Sequence, residues 1–170
     1  DCYRNQEFII YQLYLSIISP FPSLREGGRG QNMNYGFVKV AAAVPELKVA
    51  DCQFNVSKIM ELTQQAAENQ TQVVCFPELS ITGYTCADLF FQHKLLEDAE
   101  NALSQLLNFS TDLEITLLVG MPVRFNNQLF NVAIIIQKGD ILGVVPKIHL
   151  PNNGEFYEKR WFASGANIRN

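Results

Sequence analysis

Two side chains have types and positions that could do acid–base or electrostatic work. Glu78 stands in Phe76-Pro77-Glu78-Leu79, just after a short apolar run, 72–76, that reads as a buried strand. Pro77 closes that strand because its nitrogen offers nothing to a ladder. Open α/β sheets place their sites at the C-terminal ends of strands. A carboxylate held there, partly desolvated between Phe76 and Leu79, suits a general base. Lys147 follows another apolar run, 141–146, and opens an irregular stretch. An ammonium fixed there could donate hydrogen bonds to an oxyanion. On position alone the plainer readings outweigh both: a surface loop glutamate and a solvated lysine.

The other reactive residue types carry less. His149 and His93 have no suitably spaced carboxylate, so packed or surface histidines are expected. Glu155, Glu158, Lys159 and Arg160 read as a solvated charge cluster, with Glu155 or Glu158 alternatively tied to Lys147 and orienting it. The chain has 4 cysteines, Cys2, Cys52, Cys75 and Cys86, with no C-x-x-C pair. That argues against a zinc centre or a thioredoxin-type motif. A chain this apolar needs no disulfide staples. Cys75, inside an apolar strand, is expected to be an inert small hydrophobe; Cys52 and Cys86 fall on loops with nothing basic beside them. The GGRG at 27–30 follows no strand and opens no helix, so it is no phosphate or dinucleotide loop.

The elements that must position these groups alternate. Strands are expected at 37–44, 72–76, 115–120, 129–137 and 141–145. One helix is capped by Asn55 or Ser57 and runs to Asn69; a second is capped by Asp88 and runs to Leu107, lined by Leu95, Leu96, Ala99, Ala102, Leu103 and Leu106. Asn126-Asn127 marks a turn, and Lys138-Gly139-Asp140 a three-residue hairpin. The result is a mixed α/β sheet with helices on one face, its other face ready to pack on a second sheet. With 48% hydrophobic and 18% charged residues the composition is globular. A net charge of −4 lacks the basic field that nucleic acid or an anionic membrane surface demands. The apolar stretch at 8–21 is too short to span a bilayer, which takes about 20 residues, and lacks the flanks of a signal peptide. Residues 1–32 are therefore expected to lie outside the domain, as a disordered extension or a segment upstream of a true start at Met33.

Two long segments change the weight of Glu78 and Lys147. Cys75–Phe90 (CFPELSITGYTCADLF) and Val144–Phe162 (VVPKIHLPNNGEFYEKRWF) resemble motifs of the nitrilase superfamily of carbon–nitrogen hydrolases, and most closely those of the glutaminase domains of glutamine-dependent NAD synthetases. The resemblance covers 33–170. It implies a nitrilase-type α-β-β-α sandwich, C-terminally incomplete here, and a Cys–Glu–Lys triad. Glu78 matches its general base and Lys147 its oxyanion-stabilising lysine. Tyr84 and Phe156 match positions lining the glutamine pocket. Asn153 stands where the family usually has an aromatic. The nucleophilic cysteine, expected in a C-E-D context, is not among the four present, so the chain by itself is expected to hydrolyse nothing.

The implied partners are glutamine and a synthetase domain in the same polypeptide. That domain would hold ATP and Mg2+, the hydrolase part needing no cofactor or metal. A cytoplasmic homo-oligomer is implied too. Two other readings stay open: a part of another superfamily amidase or carbamoylase, and a non-catalytic remnant of a broken gene.

Overall fold

The computed structural model describes residues 8–13 and 37–168. Six strands form one mixed sheet in sequential order: β1 (Phe8–Leu13), β2 (Val38–Ala43), β3 (Val73–Cys75), β4 (Thr116–Phe125), β5 (Gln128–Gln137) and β6 (Asp140–Pro146). The pairs β2–β3 and β3–β4 are parallel; β1–β2, β4–β5 and β5–β6 are antiparallel. Helix α1 (Cys52–Glu68) connects β2 to β3, and α2 (His93–Ser110) connects β3 to β4. Parallel neighbours require such crossovers, whereas the last three strands need only tight turns. Of the leading segment 1–32, only β1 falls among the described residues, so a domain start at Met33 stays an expectation.

Alternation along the strands separates two faces. Ala41, Val74, Leu117 and Ile136 are cross-strand neighbours, and all four are buried. With Ala43, Val119, Met121 and Ile134 they form the floor on which the helices sit. Val56, Ile59, Leu62 and Ala66 of α1, and Leu95, Leu96, Ala99, Ala102 and Leu106 of α2, complete this core. The opposite row is Ala42, Cys75, Leu118, Ile135 and Gly143. No described helix covers it, and Ala42 and Cys75 are exposed. Cys75 is therefore not the packed thiol expected from its apolar neighbours; it points to the side of β3 that the helices leave bare. Ile141, Leu142, Val144 and Val145 of β6 are exposed as well. The sheet is apolar on both faces, as expected of a strand layer built to be covered twice.

Several boundaries differ from the sequence reading, each for a local reason. Helix α1 begins earlier because Asp51 is its cap, accepting from Phe54 N at 3.0 Å. Asn55 instead sits buried inside the first turn. Its amide accepts from Lys48 N (2.7 Å) and donates to Lys48 O (2.9 Å) and Ile81 O (3.0 Å), tying the helix to the loop that follows Glu78. Asp88 does not cap α2: residues Ala87–Phe91 form a separate 3-10 turn and α2 starts after Gln92. Strand β4 runs on through Pro122 to Phe125. The β5–β6 turn has two residues, not three, since Gln137 pairs with Asp140. Lys138 (φ 50) and Gly139 (φ 83) supply the left-handed pair that the twist of a two-residue hairpin favours.

Candidate active site

Glu78 rides on an excursion of the chain anchored at both ends to β4. Phe76 N donates to Leu118 O at 2.9 Å, and Ile81 N donates to Gly120 O at 3.1 Å. Between them the chain makes a tight turn, with Ser80 N donating to Pro77 O at 3.2 Å and Leu79 in the left-handed region at φ 52. Such a conformation costs a branched residue about 1–2 kcal/mol; here a fully buried Leu79 side chain and the two anchors hold it. Gly120 makes the arrangement possible. A Cβ at Gly120 would lie 2.3 Å from Leu79 N and 3.0 Å from both Glu78 C and Pro77 O, so only glycine lets the turn lie against β4.

Lys147 is fixed through its backbone. Its N–H donates to Asn131 O at 2.8 Å, extending the β5–β6 ladder by one residue, and its carbonyl accepts from Gly165 N at 2.9 Å. The segment carrying Glu158 is held more broadly. Phe162 N donates to Glu158 O at 2.8 Å. Asp88 accepts from Arg160 Nε and NH2, both at 2.7 Å, and from Trp161 Nε1 at 2.9 Å. Those donors and the Arg160 charge hold the Asp88 carboxyl well below the usual carboxylate range. Phe90 packs at 4.9 Å from Phe162 and 5.9 Å from Trp161, ring centre to ring centre. The stretch after Tyr84 and the stretch after Glu158 are thus clasped together.

These supports converge on one polar cluster. Lys147 Nζ donates to Glu78 Oε1 at 2.6 Å and to Glu158 Oε1 at 2.9 Å. Tyr84 OH donates to Glu158 Oε1 at 2.6 Å, and Asn131 Nδ2 donates to Glu78 Oε1. Exposure grades across the group: the Glu78 side chain is 40% exposed, Lys147 27% and Glu158 2%. Burial alone would lower the Lys147 pKa, but the bonds and charges of Glu78 and Glu158 outweigh it and raise it above its ordinary 10.5. The ammonium is thereby secured in its charged form. Burial, then the bond to Glu158, then the two carboxylate charges push the Tyr84 hydroxyl up, so it stays a neutral donor.

The sequence candidates separate cleanly in space. Glu78, Lys147 and Tyr84 meet in the cluster. Of the two glutamates weighed as a tie for Lys147, Glu158 makes it and Glu155 stays exposed. Phe156 lies on the exposed loop before Glu158, beside Asn153, whose carbonyl accepts its N–H at 3.2 Å. His149 is exposed, and His93 Nδ1 lies 3.2 Å from Arg124 NH1. Sequence reasoning missed Asn131 and Gly120. A polar amide in the middle of the apolar strand LFNVAIII was the available signal, because a buried amide calls for a partner. Among the described residues no group of three or more His, Cys, Asp or Glu is placed to hold a metal ion. No described helix is long and apolar enough to cross a membrane.

Residues 39–169 match the family model described as carbon-nitrogen hydrolase. The chain belongs to the carbon–nitrogen hydrolase family. The chain is 37% identical over 135 residues to a glutamine-dependent NAD(+) synthetase of Mycobacterium bovis, covering 79% of itself and 20% of that relative. A crystal structure of a glutamine-dependent NAD(+) synthetase from Cytophaga hutchinsonii superposes with a TM-score of 0.71 at 30% identity, over 75% of this chain and 22% of that one. An amidase from Nesterenkonia sp. superposes at 0.65 with 23% identity, over 75% and 48%, and shares the fold. The chain spans about a fifth of the length of the curated relatives it matches. Its α/β sheet, with helices on one face, is the nitrilase-type arrangement expected from the sequence.

None of the described cysteines joins the cluster. Cys52 is buried and pushed up to about 12, by burial first and then by Asp98. Cys86 is buried and raised, its thiol turned to Thr82 O at 3.1 Å. Cys75 is exposed, its one hydrogen-bond contact being Phe76 O at 3.7 Å. The arrangement holds an acid–base group and a fixed cation side by side, with a second carboxylate and a phenol behind them.

Proposed function

We propose that Glu78 and Lys147 are the general base and the oxyanion-binding cation of a site that hydrolyses the side-chain amide of glutamine. The single observation carrying this reading is the direct contact of Glu78 with Lys147, backed by Glu158. Glu78 takes the proton of a thiol. The thiolate attacks the amide carbon, and the negative charge gathering on the amide oxygen is met by Lys147 Nζ. The C–N bond breaks as Glu78 returns the proton to the departing nitrogen, releasing ammonia and leaving a thioester. Glu78 then takes a proton from water, which attacks the thioester carbon; glutamate leaves and the thiol is restored. The attacking thiol is supplied from outside the described residues, since Cys52, Cys75 and Cys86 do not contact the pair.

The chain is closer to the synthetases (37%) than to the amidase (23%), which favours glutamine over other amides. On the same grounds we propose that the ammonia serves ATP-dependent amidation of deamido-NAD, in a synthetase domain of the same polypeptide that would hold ATP and Mg2+. Tyr84 and Phe156 would border the glutamine, and copies of the hydrolase domain would associate. The test is ammonia release from glutamine. The 170-residue chain is expected to release none. Extended along its reading frame to include a nucleophile, it is expected to turn over, with Glu78→Gln lowering kcat/KM by at least about 10²-fold. An extended protein that cleaves no amide, or a Glu78→Gln variant as active as its parent, would refute the assignment.

A further inference from the structure

Asn131 is 3% exposed, in the middle of β5, where an amide in an apolar strand is costly unless it is bonded. Both of its polar ends are used, and both reach the site. The side-chain Nδ2 donates to Glu78 Oε1. The backbone carbonyl accepts the N–H of Lys147 at 2.8 Å. The two residues 69 positions apart are therefore bound to one and the same residue between them.

We propose that Asn131 is a positioning residue that fixes Glu78 and Lys147 relative to each other and holds the Glu78 carboxylate with one oxygen anchored and the other free to take a proton. The inference rests on the reading of Glu78 as that base. Two donors, Lys147 Nζ at 2.6 Å and Asn131 Nδ2, meet at Oε1. Oε2 has no hydrogen-bond partner among the described residues. Pivoting the carboxylate about its Cγ–Cδ bond away from this orientation would weaken both bonds at once. Oε1 is thus the anchored atom and Oε2 the one presented to a proton. With Lys147 as the only donor, the carboxylate could pivot and still keep its ion pair, and the direction of its unbound oxygen would be loose. The amide suits the task because it is neutral. It steadies Glu78 without adding a second cation that would compete with Lys147 for an oxyanion, and without titrating in the working pH range. An aspartate there would put a third carboxylate beside Glu78 and Glu158.

The test reads Lys147 directly in the full chain by pulse acetylation of lysines from about pH 9 to about pH 11, with mass-spectrometric quantitation at Lys147. Lys58 and Lys94, paired elsewhere with Glu61 and Asp98, are internal controls, and circular dichroism monitors the fold. Asn131→Leu is expected to raise Lys147 acetylation by at least about fivefold, as loss of one charged hydrogen bond implies, and to move its titration midpoint down. Glu78→Gln is expected to do the same. If Asn131 acts through Glu78, Asn131→Leu adds less than about twofold in the Glu78→Gln background, whereas an independent packing role multiplies the two effects. Asn131→Ser, too short to reach Oε1 but small and polar, gives the same readout should the leucine variant fold poorly. Multiplicative effects, or Asn131 variants with wild-type acetylation at Lys147, overturn the proposal. Wild-type acetylation at Lys147 in Glu78→Gln overturns the Glu78–Lys147 pairing itself, and with it the hydrolase reading beneath.

Discussion

Tyr84 shows how the outer shell of the cluster acts on its centre. Its hydroxyl donates to the buried Glu158 at 2.6 Å, and the other Glu158 oxygen has no partner among the described residues. Removing the hydroxyl leaves Lys147 as the only donor to that carboxylate among the described side chains. Tyr84→Phe is expected to destabilise the fold by about 1.5–3 kcal/mol, the usual worth of a hydrogen bond to a charged group, read from urea unfolding near neutral pH. Tyr84 and Lys147 are both raised above their ordinary values of 10.0 and 10.5, so the folded state keeps their protons after the unfolded chain has released them. Their stabilisation is therefore whole below about pH 10 and is lost as pH rises through their folded values. Urea midpoints are expected to fall with pH above about 10, and to fall less steeply in Tyr84→Phe. A midpoint flat or rising across that window would contradict the directions assigned to both groups.

At the scale of elements, the site depends on how closely the Glu78 turn lies on β4. Gly120→Ala puts a methyl 2.3 Å from a backbone nitrogen, where no flexible side chain can yield. The expected cost is about 3 kcal/mol, at the upper end for overpacking, together with loss of the Lys147 protection seen by acetylation. Urea unfolding of the variant checks the first, and an alanine at Gly120 that cost nothing would mean that the turn does not rest there. The elements were largely legible in the sequence. Ile59, Leu62 and Ala66 recur at helical spacing, as do Leu95, Ala99, Ala102 and Leu106, and the runs 72–76 and 129–137 lie between turn residues. What the pattern hid were interruptions with tertiary causes. Asp88 reads as a cap but is taken by Arg160 and Trp161 from 72 and 73 residues away. The strand expected to end at residue 120 instead continues through Pro122, which pairs with Asn131. The site was legible only through resemblance: spacing along the chain carries no sign that Glu78 meets Lys147, and nothing local distinguishes Glu158 from Glu155.

Among the described residues, the sheet has one covered face and one bare one. The helices close one side of the sheet; Ala42, Cys75 and the exposed apolar residues of β6 lie on or beside the other. Contiguous apolar surface of this kind promotes association, so the 170-residue chain is expected to sediment with a concentration-dependent mass. A sharp monomer at every concentration would mean that the face is covered. Thiol mapping reads the same face chemically: Cys75 is expected to react with an aromatic disulfide well before Cys52 and Cys86, which are buried and raised, with peptide mapping to assign the label. Slow labelling of Cys75 would place it in a core.

The meeting of Glu78 with Lys147 underlies every functional statement, and zero-length carbodiimide cross-linking tests it most directly. An amide bond can join a carboxylate to an amine only when they touch. The 2.6 Å contact is expected to yield a cross-linked peptide pair joining Glu78 to Lys147, lost in Glu78→Gln. If the exposed pair Lys58–Glu61 (2.8 Å) cross-links under the same conditions while no peptide joins Lys147 to Glu78 or Glu158, the cluster does not exist and the active-site assignment is wrong.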